Sequence, residues 1–101
     1  MEVTVTQNGD TCTINVPGQL DVMTSTPFKQ TLTDAVSSSA KIELDFSNTA
    51  LVSSAGLRVL LQAEKTVLKS GKSMTFKNVS PEVMEVFDIT GVDKIFTILV
   101  D

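Results

Sequence analysis

The sequence predicts an α/β domain in which a central mixed sheet of about five strands carries helices mainly on one face. Three observations carry that expectation. Runs with an apolar residue at every second position alternate along the chain with runs whose apolar residues recur every third or fourth. An Asn8-Gly9 pair separates the first two alternating runs, in the place where a tight type I′ hairpin turn demands positive φ twice. Most of the strand-like runs are apolar on one side only, so the sheet should be covered on one face and partly wet on the other.

The elements follow in order. Val3 and Val5 alternate with threonines as a first strand, and Cys12, Ile14 and Val16 alternate with Thr and Asn as a second. Residues 17–21 (PGQLD) break that strand. Phe28, Leu32, Ala35 and Val36 stand at i, i+4, i+7 and i+8, the spacing of a helix face. Thr26 and Pro27 suit the N-cap and first position of that helix, and a start one turn earlier, near Val22, also fits.

Residues 41–46 (KIELDF) place Ile42, Leu44 and Phe46 on one side of a third strand. A second helix is expected from residue 55 to about 70, stopped by Gly71, with Lys69 in its last turn. Its apolar face comprises Leu57, Leu60, Leu61, Ala63, Val67 and Leu68. Leu57, Leu60, Leu61 and Phe46 are expected to share one core. Residues 73–77 (SMTFK) form a fourth strand. Ser80 caps a third helix beginning at Pro81 with Glu82 in its first turn, and residues 95–100 (IFTILV) close the chain as a fifth strand. The order is β-β-α-β-α-β-α-β, with right-handed parallel crossovers.

Composition limits the functions available. The chain has 101 residues, 42% of them hydrophobic, and residues 1–101 are expected to form a single domain around one core. A net charge of -4 disfavours direct nucleic-acid binding, which relies on Lys and Arg neutralising phosphates, and equally disfavours an anionic membrane surface. The single cysteine, Cys12, cannot staple the fold and shares alternation parity with Ile14 and Val16, so a small buried hydrophobe is expected. A lone cysteine fits a reducing compartment. The first residues lack the basic and apolar regions of a leader, and no run approaches the ~20 apolar residues of a membrane span. The expected location is cytoplasmic, without membrane insertion.

Enzymatic chemistry finds little support. With no histidine, a Ser-His-Asp triad, a Cys-His pair and histidine-based metal sites are all unsupported. The glycines at 9, 18, 56, 71 and 91 are scattered singly, so no phosphate loop is formed. Glu43 and Asp45 share one side of a strand, which on a solvated face reads as surface charge. No catalytic residue, metal ligand or cofactor is expected.

Polar residues gather instead at the carboxyl ends of the strands, where open α/β sheets place their sites. They lie in three clusters: Gly18, Gln19, Leu20 and Asp21, then Asp45, Ser47, Ser53 and Ser54, then Asn78, Val79 and Ser80. As a loop residue, Asp21 is expected to matter for binding more than for folding. Ser53 and Ser54 admit two compatible readings. A serine there can cap the second helix through its Oγ. A serine there can also carry phosphate, because the free N–H groups and the positive end of the helix dipole favour an added dianion. One residue can serve as both cap and acceptor. The small Ala55 and Gly56 leave room for a kinase to approach the backbone.

The run LDFSNTALVSSAGLRVLL, preceded by GQLD and followed by ITGVDKIF, resembles the STAS domain of bacterial anti-sigma factor antagonists over essentially the whole chain. The resemblance implies that Ser54 is the regulatory serine, phosphorylated by an anti-sigma factor that is itself a serine kinase. It places Asp21 in the loop beside that serine, Asp45 and Ser47 at the end of the central strand, and Gly56 and Leu57 at the start of the second helix. Many members carry Asp immediately before the acceptor, where this chain has Ser53, which becomes a second candidate acceptor. The implied partner-binding set is Gly18, Leu20, Asp21, Asp45, Ser47, Ser53, Ser54, Ala55, Gly56, Leu57 and Ser80. The implied function is partner switching. The unmodified protein binds the anti-sigma factor and frees a sigma factor, phosphate on Ser54 breaks the complex, and a serine phosphatase restores it. ATP and magnesium belong to the kinase. Two other functions share the fold: a STAS subunit packed on the ATPase of a lipid-transport ABC system, and an interaction scaffold whose serine is an inert cap.

Overall fold

In the computed structural model, which describes residues 3–99, strands β1 (Val5–Asn8) and β2 (Thr11–Asn15) form the expected antiparallel hairpin. Its turn differs in one respect. Asn8 pairs with Thr11 and closes the ladder, so the loop residues are Gly9 and Asp10, and Gly9 alone has positive φ, at 67°. That is the φ pattern of a type II′ turn, in which glycine at the first loop position supplies the required conformation.

The chain then runs through β3 (Gln19–Leu20), α1 (Ser25–Ser38), β4 (Lys41–Asp45), β5 (Leu51–Val52), α2 (Ser54–Lys69), β6 (Ser73–Lys77), α3 (Pro81–Thr90), a 3-10 turn (Val92–Lys94) and β7 (Thr97–Ile98). The main sheet has the order β1-β2-β4-β6-β7, with every pair after the hairpin parallel. Sequence alternation becomes face segregation in this sheet. Cys12, Ile42 and Met74 stand in one register row and Ile14, Leu44, Phe76 and Ile98 in the next, on the face that the helices cover. The row between them presents Thr13, Glu43 and Thr75 on the opposite face, where Glu43 accepts from Thr13 Oγ1 at 3.1 Å and pairs with Lys77 at 3.4 Å.

The core lies between that sheet and the helices. Phe28, Leu32, Ala35 and Val36 of α1 and Leu57, Leu60 and Val67 of α2 are buried in it with Phe46, while Leu61 packs against it half-buried. Phe76 stacks on Phe46 and Phe96 with ring centroids 5.4 and 4.3 Å away, and Phe87 meets all three rings edge-on. Burial of Cys12 pushes its thiol pKa up against the opposing hydrogen bond with Ser39. A thiol in that setting behaves as packing.

Four further details depart from the sequence expectation. Helix α1 begins at Ser25, so Pro27 is its third residue, a position whose missing N–H has no partner inside the helix in any case. On α2 the residue expected in the core, Leu68, is exposed, whereas Glu64 is buried. The last strand is confined to Thr97–Ile98, because the chain ahead of it tightens into the 3-10 turn and Ile95 follows that turn. Val100 lies outside the described residues. The first run pairs from Thr4, whose carbonyl accepts from Asn15 N–H, but β1 is an edge strand and all its residues are exposed.

Candidate functional site at the carboxyl ends of the strands

Two short strands absent from the sequence reading assemble this end of the molecule. β3 and β5 pair in parallel, Gln19 with Leu51 and Leu20 with Val52, as a separate two-stranded sheet. The ladder is extended by Ala50 N–H donating to the Gly18 carbonyl and Ser53 N–H donating to the Leu20 carbonyl, each at 2.8 Å. Below it, the buried Thr49 hydroxyl bonds the carbonyls of Pro17 and Val16 at 3.0 and 3.2 Å. Segments 17–21 and 47–57 are thereby sewn together.

Helix α2 starts directly on this ladder. Ser53 is its N-cap, and its Oγ accepts from Gly56 N–H at 3.4 Å. Ser54 is the first helical residue, is exposed, and its hydroxyl makes no hydrogen bond among the described residues. The capping role that the sequence allowed to either serine falls to Ser53. The first turn of α2 contains no acidic residue, so nothing of its own offsets the positive end of the helix dipole.

Asp21 has a structural task that the loop reading missed. Its Oδ1 accepts from Met23 N–H at 2.9 Å and Thr24 N–H at 3.1 Å, and its carbonyl accepts from Ser25 N–H at 2.8 Å. Thr24 Oγ1 in turn accepts from Asp21 N–H and donates to the Gln19 carbonyl. Asp21 therefore organises the entry to α1, a role that Thr24, the N-cap by position, does not fill with its own side chain.

Across the site, Asp45 Oδ1 accepts from Ser47 N–H at 2.9 Å and from Asn78 Nδ2 at 3.1 Å. Partial burial works against its ionised form. The hydrogen bonds from Asn78 and Ser47, with the Lys77 charge nearby, outweigh that effect and hold its carboxyl below the ordinary value. Asn78 does this from a left-handed backbone, φ 58°, which Asn tolerates better than most residues. Ser80 is a cap, its Oγ accepting from Val83 N–H at 3.2 Å, as the sequence predicted.

The predicted partner-binding set therefore splits. Gly18, Ser47 and Ser54 are exposed, and Asp21, Asp45, Ser53, Ala55 and Ser80 are half-buried. Leu20, Gly56 and Leu57 are buried, so they shape the site and present no side chain to a partner. Sequence reasoning missed Val22 and Met23, both highly exposed beside Asp21. The available signal was a pair of apolar residues in a loop, ahead of any helical period. A groove of about 400 Å³ between α1 and α2, floored by Leu32, Val36, Val59 and Ala63, includes none of the predicted site residues. Among the described residues, no helix is long and apolar enough to cross a membrane.

The anti-sigma-B factor antagonist of Bacillus subtilis (strain 168) is 29% identical over 98 residues, covering 97% of this chain and 90% of that protein. An anti-sigma factor antagonist from Mycobacterium paratuberculosis superposes with a TM-score of 0.87 at 21% identity, over 99% of this chain and 86% of that one. The Bacillus cell fate determinant SpoIIAA in its phosphorylated form superposes with a TM-score of 0.76 at 16% identity, over 99% and 93% of the two chains. At these identities the structural likenesses speak for the fold. Residues 3–101 match the family described as "Mlab, STAS domain", and with the whole fold and its order of elements in agreement, the chain belongs to the STAS family.

Proposed function

We propose that this chain is a bacterial, cytoplasmic anti-sigma factor antagonist that works by partner switching and has no catalytic activity of its own. The observation that supports this most is the exposed hydroxyl of Ser54 on the first turn of α2, unbonded among the described residues and next to a serine already committed to capping. In this reading the unmodified protein binds an anti-sigma factor that is a serine kinase. The kinase transfers the γ-phosphoryl of ATP to Ser54 Oγ, with loss of the hydroxyl proton and release of ADP. A serine phosphatase returns inorganic phosphate with the consumption of water. The switch is electrostatic, because a charge near -2 introduced into a contact surface has to be desolvated on rebinding. In this reading Gly18, Asp21, Asp45, Ser47, Ala55 and Ser80 belong with Ser54 to the contact surface, and Ser53 is the second candidate acceptor.

The test is intact mass after incubation with kinase and ATP, together with kinase affinity for wild type, Ser54→Ala and Ser54→Asp. Ser54→Ala should accept no phosphate and stay bound, while Ser54→Asp should fold normally and bind worse. Phosphorylation of Ser54→Ala would move the acceptor to Ser53. Equal affinity of all three, with no mass change in wild type, would sink the switch and favour a subunit docked on a transport ATPase.

A further inference from the structure

We infer that Val22 and Met23 form an apolar anchor by which the kinase grips this protein, an inference that deepens the proposed function and rests on it. Both side chains stand in water, Val22 at 72% and Met23 at 80% exposure, although Leu20 before them and Ser25 and Phe28 after them are buried. The turn that carries them is fixed: the Asp21 carboxylate accepts from the N–H of Met23 and of Thr24, and Thr24 Oγ1 ties the turn to Gln19. Such a turn has little backbone freedom left to lose on binding, so apolar contact made there is retained as affinity. The unbranched thioether of Met23 adapts to the shape of a facing pocket.

Position identifies the occupant. Any enzyme that phosphorylates Ser54 must seat itself on that hydroxyl, and a standard interface covers about 800 Å² per partner, a disc of roughly 16 Å radius. Ser53 N–H bonds the Leu20 carbonyl at 2.8 Å, and three further residues of chain reach at most about 11 Å. The turn is folded by the Asp21 carbonyl–Ser25 N–H bond of 2.8 Å and the Asp21 Oδ1–Met23 N–H bond of 2.9 Å, so Met23 stands well short of that extended reach and inside such a footprint centred on Ser54. The partner is a protein kinase with an apolar pocket beside its nucleotide site. Leu68 supplies the contrast: it is 65% exposed but lies fourteen residues along α2 from Ser54, about 21 Å of helix. An exposed leucine there falls outside the footprint.

The experiment measures steady-state phosphorylation by the anti-sigma serine kinases of the source genome, each purified and supplied with magnesium and ATP. Substrates are wild type, Met23→Ser, Met23→Leu and Leu68→Ser, with urea midpoints recorded for each. Met23→Ser should raise KM at least tenfold and leave kcat within about twofold, because the anchor binds without touching the transferring phosphoryl. Met23→Leu should keep KM within about threefold, and Leu68→Ser should match wild type. Wild-type phosphorylation with an unchanged KM for Met23→Ser would overturn this inference and leave the switch standing. Phosphorylation of wild type by none of the kinases would overturn both. Loss of self-association in Met23→Ser with KM unchanged would assign the patch to a second copy of the chain and also overturn it.

Discussion

Gly56 lies against the Leu20 carbonyl so closely that a Cβ built on it would stand 2.7 Å from that oxygen and 2.8 Å from Leu20 Cγ. The oxygen belongs to backbone already held in the β3–β5 ladder, so it cannot move aside as a side chain would. Gly56→Ala gains up to about 1 kcal/mol of helix propensity and meets an overpacking cost of about 1–3 kcal/mol. We predict a lower urea midpoint and a displaced first turn of α2. An unchanged or higher midpoint would mean that α2 and Leu20 are further apart than this geometry has them.

Asp21 should separate charge from hydrogen bonding. Asp21→Ala removes the acceptor for Met23 and Thr24 N–H and should cost about 1 kcal/mol, as loss of a helix-entry acceptor does. Asp21→Asn keeps an acceptor oxygen and should fold close to wild type. If Asn fails as badly as Ala, the negative charge is what matters at this turn. If both leave the midpoint unchanged, the loop does not depend on this carboxylate.

Much of this was legible in the sequence, for a physical reason. Helices and central strands announce themselves by period, and Phe28 to Val36 or Ile42 to Phe46 leave little choice of face. β3 and β5 have two residues each, too few to display any period, so the ladder that builds the site was invisible. The hairpin turn was recognised but its register was off by one residue, because Asn8-Gly9 and Gly9-Asp10 both look like turn pairs. That one of the two serines ahead of α2 caps it was legible. Which of them caps was not, since adjacent hydroxyls before a helix are equivalent until the backbone assigns Ser53 its extended conformation. Polarity misled at Glu64, whose burial no binary pattern would allow.

That residue gives a pH prediction. Glu64 is 4% exposed, its Oε1 has no hydrogen-bond partner among the described residues, and burial raises its pKa. With the folded value above the unfolded one, the folded state holds its proton longer. Glu64 therefore costs nothing below the ordinary carboxylate range and progressively destabilises the fold as pH rises through its folded pKa. Glu64→Gln should raise the urea midpoint at neutral pH, by on the order of 1 kcal/mol, with the gain fading as pH falls through the raised folded pKa and gone at the ordinary glutamate value. Asp45 has the opposite sign, since its lowered pKa gives stability that is lost as pH falls through its folded value. Asp45 is present in both proteins, so the difference between their curves isolates Glu64. A difference independent of pH would show that shape, not ionisation, sets the effect.

Arg58 offers a test of the modified state. It is exposed on α2 four residues after Ser54, which on a helix places the two side chains on one face a single turn apart. In the unmodified protein a cation near the positive end of the helix dipole gains nothing. Once Ser54 carries phosphate, the guanidinium faces a dianion with the planar geometry suited to pairing with it. Phosphorylation should then raise the urea midpoint of wild type, and Arg58→Gln should lose about 0.3–1 kcal/mol of that gain, the usual worth of an exposed helical ion pair or dipole contact. The unphosphorylated forms should differ little. The decisive comparison is phosphorylated wild type against phosphorylated Arg58→Gln at low salt and at about 1 M salt, where charges are screened beyond about 3 Å. The difference should shrink at high salt if it is electrostatic. Equal stabilisation by phosphate in both proteins would show that the phosphate points into water, away from Arg58. A loss confined to Arg58→Gln would mean that α2 itself holds the phosphate in place. The modified surface would then be ordered as well as charged.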